Sequence, residues 1–360
     1  MKSSSLRAAA RRATLADIAR ELGMSRSTVG RALAGNGYVS PEKKQQILSV
    51  AERLGYRAST IARALRTQQS MTLGVLVADI TNPLFPAIVK GIDEGVSAAG
   101  YTLFLCNTDE DPRRQQTLIR SLLDRQVDGL IMLSQSLSEA SRALLVNGPP
   151  CVFVNRMPSD FTADYIGPDN QQAIDLLLDH LYALGHRRIA CLTGPAQSST
   201  VVERKAAWQA GMARLGCAAP ADYLIEGDYR GNSARHAVAA LLRCQPRPTA
   251  LLAANDFVAL AVINQLAEQG IAVPEDISVC GFDDIFGGHF SALASWQRKG
   301  LTTVDQPKRC LGQMAARAML ARLQQPQAPI SQTVLPVSLQ IRDSSAPLPA
   351  VQAPPAVSDR

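Results

Sequence analysis

Seven short apolar runs, separated by stretches of helical periodicity, constrain the fold of most of this 360-residue chain. They are LGVLVAD, YTLFLCN, DGLIML, CVFVN, RIACLTG, TALLAAND and ISVCGFDD, and the first begins at Leu73. Runs that are apolar at nearly every position predict strands buried on both faces, and such strands alternating with helices form parallel sheets that helices cover on both sides. The sequence therefore predicts an α/β fold from about residue 73 onward.

The ends of these predicted strands carry many polar side chains: Asp79, Thr81, Asn82, Asn107, Ser134, Asn155, Arg156, Gly194, Asn255, Asp256, Asp283 and Asp284. Ligands of open α/β sheets bind beyond the carboxyl ends of the strands. Amides and carboxylates are good partners for hydroxyl groups. Each residue alone is equally consistent with an ordinary polar loop, but the clustering of Asn and Asp favours a site for a ligand that carries hydroxyl groups.

Residues 14–33, TLADIARELGMSRSTVGRAL, predict two short helices joined by a tight turn. Apolar residues recur at i, i+3, i+4 and i+7 in the first helix, with Thr14 as its N-cap and Gly23 at its end. Ser25 caps the second helix, which keeps Arg26, Ser27 and Arg31 on its outer face. The pattern is typical of a helix-turn-helix, whose second helix enters the major groove of DNA. An ordinary helical hairpin with solvated arginines is the alternative.

The positive charge of the chain belongs to its N-terminal part. Residues 1–68 contain 13 Lys and Arg against 4 Asp and Glu, whereas the remaining 292 residues contain 24 against 27. A basic end on a slightly acidic body indicates that one end binds a polyanion. A basic disordered tail would explain only the first dozen residues, because the apolar periodicity after Thr14 is too regular for disorder.

Several classes of protein are disfavoured by what the sequence lacks. It contains no glycine-rich nucleotide loop, no G-x-S-x-G nucleophile and no histidine spacing typical of a metal site. Its seven cysteines are scattered and odd in number, which indicates reduced core thiols. No apolar run approaches the roughly 18 residues of a membrane span, and the N-terminus lacks the apolar centre of a secretory signal. We therefore expect a cytoplasmic protein without a cofactor, a metal or a membrane partner.

Residues 40–70 complete the N-terminal part. Ser40, Pro41 and Glu42 predict the start of a third helix, and Gly55 its end. Residues 57–66 are helical in composition but amount to only about two turns, so this segment should fold only against something else. A polar linker follows at residues 67–70.

These motifs together resemble the lactose-repressor and galactose-repressor family of bacterial transcription regulators. The resemblance rests on T-L-x-D-I-A-x-x-x-G-x-S-x-S-T-V-x-R-x-L, V-S-P-E, L-G-Y and A-R-A-L, and continues through LGVLVADITNPLF, HLYALGHRRIACLTGP, ERKAAWQAGM, PTALLAANDFVALA, GIAVPEDISVCGFDD and LTTVDQP. It covers roughly residues 14–341. It implies an N-terminal all-α helix-turn-helix head with a hinge helix, then an α/β two-lobed core of periplasmic-binding-protein type with parallel sheets.

The domain boundaries that we expect follow from this resemblance. They are a disordered basic leader at 1–13, a helix-turn-helix DNA-binding domain at 14–58, a hinge helix and linker at 59–72, and a ligand-binding and dimerisation core at 73–342. The first lobe is expected at about 73–165 and 304–326, and the second at about 166–303 and 327–342. The Pro- and Ala-rich residues 343–360 cannot hold a heptad pattern and are predicted to be a disordered tail, which favours a dimer.

The resemblance also implies which residues contact DNA. Base contacts are expected from Arg26, Ser27, Arg31 and Tyr38, and phosphate contacts from Thr14, Ser25, Thr28 and Ser40. Leu65 would be the lever that wedges into the minor groove at the operator centre. Gly30 stands where the family usually has serine, and a glycine inside a helix costs about 0.5–1 kcal/mol relative to alanine.

Eight residues of the core are implied to bind the effector: Asp79, Asn82 and Phe85 from the first lobe, Asn155 near the crossover, and Arg204, Tyr229, Asn255 and Asp283 from the second lobe. Arg204 and Asp283 can each take two hydroxyls of a sugar, while Phe85 and Tyr229 offer apolar walls. An interlobe salt bridge and ordinary core aromatics are the alternative roles for these side chains.

The sequence thus predicts a homodimeric repressor of a palindromic operator, controlled by a small sugar or sugar derivative bound between the lobes. A corepressor-dependent, purine-type regulator is the alternative, because the same fold serves effectors of both signs. A sugar-binding protein without a DNA role is opposed by the basic head and the missing signal peptide. An enzyme is opposed by the lack of a nucleophile or cofactor, although the adjacent Asp283 and Asp284 could in principle act as an acid and a base.

Overall fold

The structure is a computed structural model, and it describes residues 13–34, 37–56, 69–134, 137–287 and 300–348. The chain divides after Ser70 into two compact units. The N-terminal unit is called the head and the C-terminal unit the core, and each is described by itself.

The head contains three helices around a small apolar centre. They are α1 (Leu15–Leu22), α2 (Arg26–Ala34) and α3 (Pro41–Arg53). Thr14 and Asp17 form a capping box at the start of α1, and Gly23 ends that helix in a left-handed conformation with φ 60°. The buried side chains come from all three helices: Ile18, Ala19, Val29, Ala32, Ile47 and Ala51. The predicted helix-turn-helix is therefore confirmed, with the apolar stripes facing inward.

The first lobe of the core is a six-stranded parallel sheet covered by helices. Its strands lie in the order β11-β5-β4-β3-β1-β2 and have the following bounds: β1 (Thr72–Val77), β2 (Thr102–Asn107), β3 (Gly129–Leu133), β4 (Cys151–Val154), β5 (Asp164–Pro168) and β11 (Gln332–Leu335). Its helices are α4 (Leu84–Ser97), α5 (Pro112–Asp124), α6 (Glu139–Val146) and α11 (Lys308–Gln324). Buried apolar side chains form one cluster on each face of the sheet.

The second lobe has the same layered plan, with one antiparallel edge. Its strands lie in the order β12-β10-β9-β8-β6-β7: β6 (Ile189–Thr193), β7 (Leu224–Glu226), β8 (Ala250–Leu252), β9 (Ser278–Asp283), β10 (Thr302–Asp305) and β12 (Ser338–Gln340). Its helices are α7 (Asn170–Ala183), α8 (Ser199–Arg214), α9 (Ala234–Arg243) and α10 (Asp256–Glu268). Every pairing is parallel except that of β10 with β12.

The chain passes between the two sheets three times, at positions that differ from the expected lobe boundaries. It leaves the first sheet after β5, at Pro168 and not at 165, and it leaves the second sheet after β10, at Asp305 and not at 303. The expected assignment of 327–342 to the second lobe is wrong for β11, because Gln332–Leu335 pairs with β5 of the first sheet. Apolar runs predict strands, but strand pairing, which the runs do not encode, decides which sheet a strand joins.

The expectation of a disordered tail over 343–360 is wrong for residues 343–348. Ser344 is fully buried, and its hydroxyl donates to the carbonyl of Val279 at 2.6 Å and accepts from the N–H of Thr302 at 2.8 Å. The N–H of Leu348 donates to the carbonyl of Leu184 at 3.0 Å. This segment therefore packs against β9 and β10, two interior strands of the second sheet, while residues 349–360 lie outside the described ranges.

Candidate functional site

The outer face of α2 presents the predicted base-reading residues to solvent. Arg26, Ser27 and Arg31 are exposed, and Tyr38 is 89% exposed in the loop before α3. Val29 and Ala32 hold the opposite side of the helix in the core of the head. A short helix with an exposed, cationic N-terminal face can enter a major groove and bring guanidinium groups to base edges.

Two of the predicted phosphate-binding hydroxyls, those of Thr14 and Ser25, have structural roles as helix caps. Thr14 and Asp17 exchange the hydrogen bonds of the capping box. The Ser25 hydroxyl accepts from the N–H of Thr28 at 3.1 Å and lies 2.8 Å from the Thr28 hydroxyl. Ser40 precedes α3 without a side-chain cap bond. Their phosphate contacts remain predictions, and Leu65 with the expected hinge helix lies outside the described residues.

Gly30 lies in the middle of α2, where an added Cβ would meet no atom within 4 Å. No close packing in the head requires a glycine here. A serine or alanine side chain would fit without rearrangement.

The core carries a cleft where the carboxyl ends of the strands from the two lobes face each other. A cavity of about 340 Å³, called here the effector cavity, is lined on the first-lobe side by Asp79, Asn82 and Phe85 and on the second-lobe side by Tyr229 and Arg230. A deeper extension of the cleft is lined by Asn155, Arg204, Asn255 and Asp283, together with Asn82 and Tyr229. The structure thus brings all eight predicted effector residues to one cleft, as the topology of parallel sheets requires.

Arg204 is held rigidly at the base of this cleft. Its guanidinium lies over the ring of Phe282, 3.3 Å from the ring centroid. Its Nε donates to the Asn170 side chain at 2.8 Å, and one terminal nitrogen donates to the Ala254 carbonyl at 3.0 Å. Stacking and two hydrogen bonds leave the guanidinium pre-oriented for a planar donor contact.

Asp283 lies at the end of β9 among positively charged and amide groups. The Gln306 side-chain amide donates to its carboxylate at 2.5 Å, and the Lys308 ammonium donates to its backbone carbonyl at 2.7 Å. Burial raises the pKa of Asp283 to about 6, although Arg204, Gln306 and Lys308 oppose this shift. Burial and the charge of Asp283 also raise the pKa of Asp256, its neighbour on α10.

Asn155 and Arg156 end β4 and carry buried polar atoms without a protein partner. Asn155 is 2% exposed, adopts φ 67°, and its side-chain Oδ1 has no hydrogen-bond partner. The Nε of Arg156 is likewise unpaired. Its guanidinium lies 4.2 Å from the ring centroid of Tyr229 and 5.9 Å from that of Phe85. Buried polar groups are nearly always hydrogen-bonded, so unpaired ones in a cleft indicate a ligand-binding function.

Asn82 and Asn255 shape the cleft through their own backbone contacts. The Asn82 side-chain oxygen accepts from the N–H of Leu84 at 3.0 Å. Asn255 caps α10 by accepting from the N–H of Val258 at 2.9 Å, and its amide donates to the Tyr229 carbonyl at 3.0 Å. Both amides keep part of their hydrogen-bonding capacity for a ligand.

Asp79 is engaged across the cleft. Its carboxylate accepts from the Thr81 hydroxyl at 2.7 Å and pairs with the Arg230 guanidinium at 3.0 Å. Since Asp79 follows β1 and Arg230 follows β7, this ion pair joins the two lobes.

Sequence reasoning assigns no role to two groups that the structure brings to this cleft, Arg156 and Arg230, or to Gln306, which contacts Asp283. The sequence places Arg156 only among the polar strand ends. Gln306, whose Oε1 is also buried and unpaired, lies in the LTTVDQP motif, which by itself points to no role for this residue. Arg230 directly follows the predicted effector residue Tyr229. Position after a strand end was the available signal for Arg156 and Gln306, whereas Arg230 could be found only from its contacts.

Comparison with known proteins places these features in a family. A model described as bacterial regulatory proteins of the lacI family matches residues 14–59, and a periplasmic binding protein-like domain model matches residues 178–345. The chain is 34% identical over 316 residues to the ribose operon repressor of Escherichia coli, and the aligned region covers 87% of this chain and 94% of that protein. The chain belongs to the lacI family. It is also 33% identical over 313 residues to the repressor PurR of Photobacterium profundum, covering 86% and 92% of the two chains.

Solved structures of lacI-family regulators share the architecture of this family member. A lac repressor dimer bound to operator and the anti-inducer ONPF has a TM-score of 0.81 at 28% identity and covers 93% of this chain and 100% of its own. A lacI-family regulator from Enterococcus faecium with bound ribose has a TM-score of 0.66 at 30% identity and covers 77% and 100%. The predicted fold is therefore confirmed, and the protein is a DNA-binding transcriptional repressor controlled by a small-molecule effector. Among the described residues, no helix is long and apolar enough to cross a membrane.

Proposed function

We propose that this repressor acts as a homodimer on a palindromic operator and releases it when a sugar of monosaccharide size binds between the lobes. The observation that carries this proposal is the pair of buried, unpaired polar atoms in one cleft, Asn155 Oδ1 and Arg156 Nε. They combine an acceptor and a donor beside the guanidinium of Arg204 and the carboxylate of Asp283. A polyhydroxylated ligand offers donors and acceptors at every hydroxyl and fits such a mixed set.

The aromatic groups of the cleft favour a sugar over a purine. Phe85 and Tyr229 line the effector cavity, but both rings face the Arg156 guanidinium. Phe282 is covered by Arg204 in the same way. A purine would gain most from free aromatic faces on both of its sides, whereas a sugar ring needs chiefly hydrogen bonds and one apolar wall.

Relatives guide the choice of the first sugar. The ribose operon repressor is among the similar proteins, and one similar structure holds bound ribose. Another similar structure is a complex of the regulator CelR with cellobiose, at a TM-score of 0.69 and 26% identity. PurR repressors are similar to nearly the same degree, so a purine corepressor is the competing function. D-ribose is therefore the first sugar to test, with hypoxanthine and guanine as the competing class.

The dimer is supported by the first lobe. β2 is an edge strand with three exposed residues, among them Phe104 at 40% and Leu105 at 46%. An edge strand with exposed apolar side chains requires cover, and a second copy of the lobe would supply it. Two heads related by a twofold axis read two inverted half-sites, which makes the operator palindromic.

Effector binding and DNA release can be tested on the same preparation. Thermal stability is measured with D-ribose, then with hypoxanthine and guanine, because a ligand at 100 times its dissociation constant adds about 2.7 kcal/mol. Operator affinity is then measured with and without the stabilising compound. We expect stabilisation by D-ribose and weaker operator binding in its presence. Stabilisation by a purine, with tighter operator binding, would establish the competing function instead.

Two variants separate the DNA and effector functions. Arg204→Ala should abolish the effector response and leave operator affinity nearly unchanged, because Arg204 belongs to the core. Leu65→Ala should weaken specific operator binding while sparing much of the salt-sensitive nonspecific binding. Equal loss of both kinds of binding would contradict the lever role of Leu65, and a normal effector response in the Arg204 variant would remove that residue from the site.

A further inference from the structure

Two cavities of the core meet at one side chain. The effector cavity of about 340 Å³ is flanked by a larger cavity of about 800 Å³, and Glu110 lines both of them. The larger cavity also lies between the lobes, with Leu137 and Met157 on the first-lobe side and Pro195 and Val202 on the second-lobe side. The Glu110 side chain is therefore part of the wall between the two spaces.

An ion pair with Arg156 completes this wall. The guanidinium of Arg156 donates to Glu110 Oε1 at 3.0 Å, and the two side chains are 7% and 31% exposed. The same guanidinium lies over the Tyr229 ring of the second lobe. Glu110, Arg156 and Tyr229 thus form a chain of contacts from one lobe to the other: all three line the effector cavity, and Glu110 also lines the larger one.

The backbone holds Glu110 in this position at a cost. Asp109 and Glu110 have φ values of 55° and 59°, which residues other than glycine rarely adopt. Such residues cost on the order of 1–3 kcal/mol each and persist only where the surroundings enforce them. The surroundings do so here, because the Asn107 amide donates to the Asp109 carboxylate at 2.6 Å and the Thr108 hydroxyl donates to the Val77 carbonyl at 3.1 Å.

We propose that Glu110 sets the upper size limit of the effector. Its ion pair with Arg156 closes the effector cavity against sugars that carry a substituent, and the larger cavity is the space that a substituent would fill once Glu110 is removed. This inference rests on the proposed function, since it concerns the selectivity of the same sugar site.

The walls of the larger cavity indicate the class of substituent. Leu137, Met157, Pro195 and Val202 are apolar, and Tyr165 adds an aromatic wall. An aryl group linked to the anomeric oxygen of a pentose would bury its ring against these side chains. Aryl ribosides are therefore the ligands that should distinguish an open barrier from a closed one.

The test compares D-ribose with 4-nitrophenyl β-D-ribofuranoside by calorimetric titration of the full-length protein. We expect the unaltered protein to prefer D-ribose by at least about 100-fold. Glu110→Gly should lower this preference to less than about 10-fold, mainly through tighter binding of the riboside. Glycine is the chosen replacement because it removes the side chain and tolerates the positive φ of this position.

Two further variants complete the comparison. Glu110→Gln keeps the size of the side chain and one acceptor for Arg156, so it should lower the preference by only about two- to fivefold. Asp160→Asn changes a residue that lines only the larger cavity and pairs with Arg142 on its rim. This control should leave the preference unchanged.

The outcomes distinguish the two proposals. Equal binding of both compounds by the unaltered protein would refute the size limit and leave the sugar function intact. An unchanged preference in Glu110→Gly with D-ribose still bound would do the same. If Glu110→Gly does not fold, a preference in Glu110→Gln no lower than in Asp160→Asn would also refute the size limit. Binding of neither sugar by the unaltered protein would instead overturn the proposed function, and the size limit with it.

Discussion

The Asp283 carboxyl should make effector binding weaken in mildly acidic solution. Burial raises its pKa from 3.8 to about 6, against the opposing effects of Arg204, Gln306, Lys308 and Arg156. A carboxylate that accepts hydrogen bonds from sugar hydroxyls does so best when ionised. Protonation therefore competes with the effector, and affinity should fall as the pH drops through 6.

The size of the effect follows from the pKa. At pH 5 about one-tenth of a group with a pKa of 6 is ionised, so affinity should be about tenfold lower than at pH 8 if binding requires the carboxylate. This corresponds to about 1.4 kcal/mol.

The raised pKa also affects folding stability. Between about pH 4 and 6 the folded state binds more protons at this carboxyl than the unfolded chain does, so this group favours folding more as the pH falls through that range. Titration of Asp283 therefore does not itself unfold the protein.

The assay is a calorimetric titration with D-ribose at pH 5, 6, 7 and 8. D-ribose carries no ionisable group in this range, so a change in affinity reports on the protein. Asp283→Asn should bind more weakly and show a nearly flat profile. An affinity that stays constant from pH 8 to pH 5 in the unaltered protein would refute the reasoning, because it would mean that the effector does not contact the ionised carboxylate.

Three further predictions concern stability and lobe closure. Gly30→Ala should stabilise the head by about 0.5–1 kcal/mol in urea unfolding, because the added Cβ enters open space. Gly23→Ala should destabilise it by about 1–2 kcal/mol, because φ of this residue is 60°. Effects of the same sign for both variants would contradict this prediction. Ser344→Ala should cost the core about 2–4 kcal/mol in calorimetric melting, since two buried backbone groups lose their partner. Arg230→Ala should weaken D-ribose binding about two- to fivefold in titrations at low salt and less at high salt, because its pair with Asp79 is half-exposed; an increase in affinity would show that the pair opposes closure.

The sequence predicted the helices of the head well because amphipathic periodicity is local information. The stripe on α1 and the caps at Thr14 and Ser25 are encoded within a few residues of one another, and the structure retains them. Gly23 ends α1 for the same reason, since its positive φ is a property of one residue.

Lobe boundaries could not be predicted with equal accuracy, because they depend on pairing between distant strands. Residues 332–335 are not among the seven apolar runs, and only the register of Thr333 opposite Ile166 assigns them to the first sheet. Residues 343–348 are poor in apolar residues, yet Ser344 is buried because its hydroxyl completes the hydrogen bonds of two neighbouring strands. A polar residue that satisfies backbone groups gives no periodic signal.

The same distinction holds within the cleft. The positions of the strand ends in the sequence indicated where the polar residues converge, since parallel strands direct their carboxyl ends to one edge of a sheet. They did not predict that Asn255 would be largely committed to capping α10, or that Gln306 would orient Asp283. These roles depend on side-chain partners from other elements.

The division of the cleft between the lobes accounts for the energy that a regulator of this kind requires. Asn155 and Arg156 line the cleft from the first lobe, whereas Arg204 and Asp283 line it from the second. An effector bound to one lobe gains the contacts of the other lobe only when the cleft is closed. Those contacts therefore set how much more tightly the effector binds the closed state than the open state. Coupling of 1–3 kcal/mol changes operator affinity about 5- to 150-fold. A hydrogen bond to a charged group contributes about 1.5–3 kcal/mol, so one or two hydrogen bonds to Arg204 or Asp283 are sufficient for the whole regulatory effect.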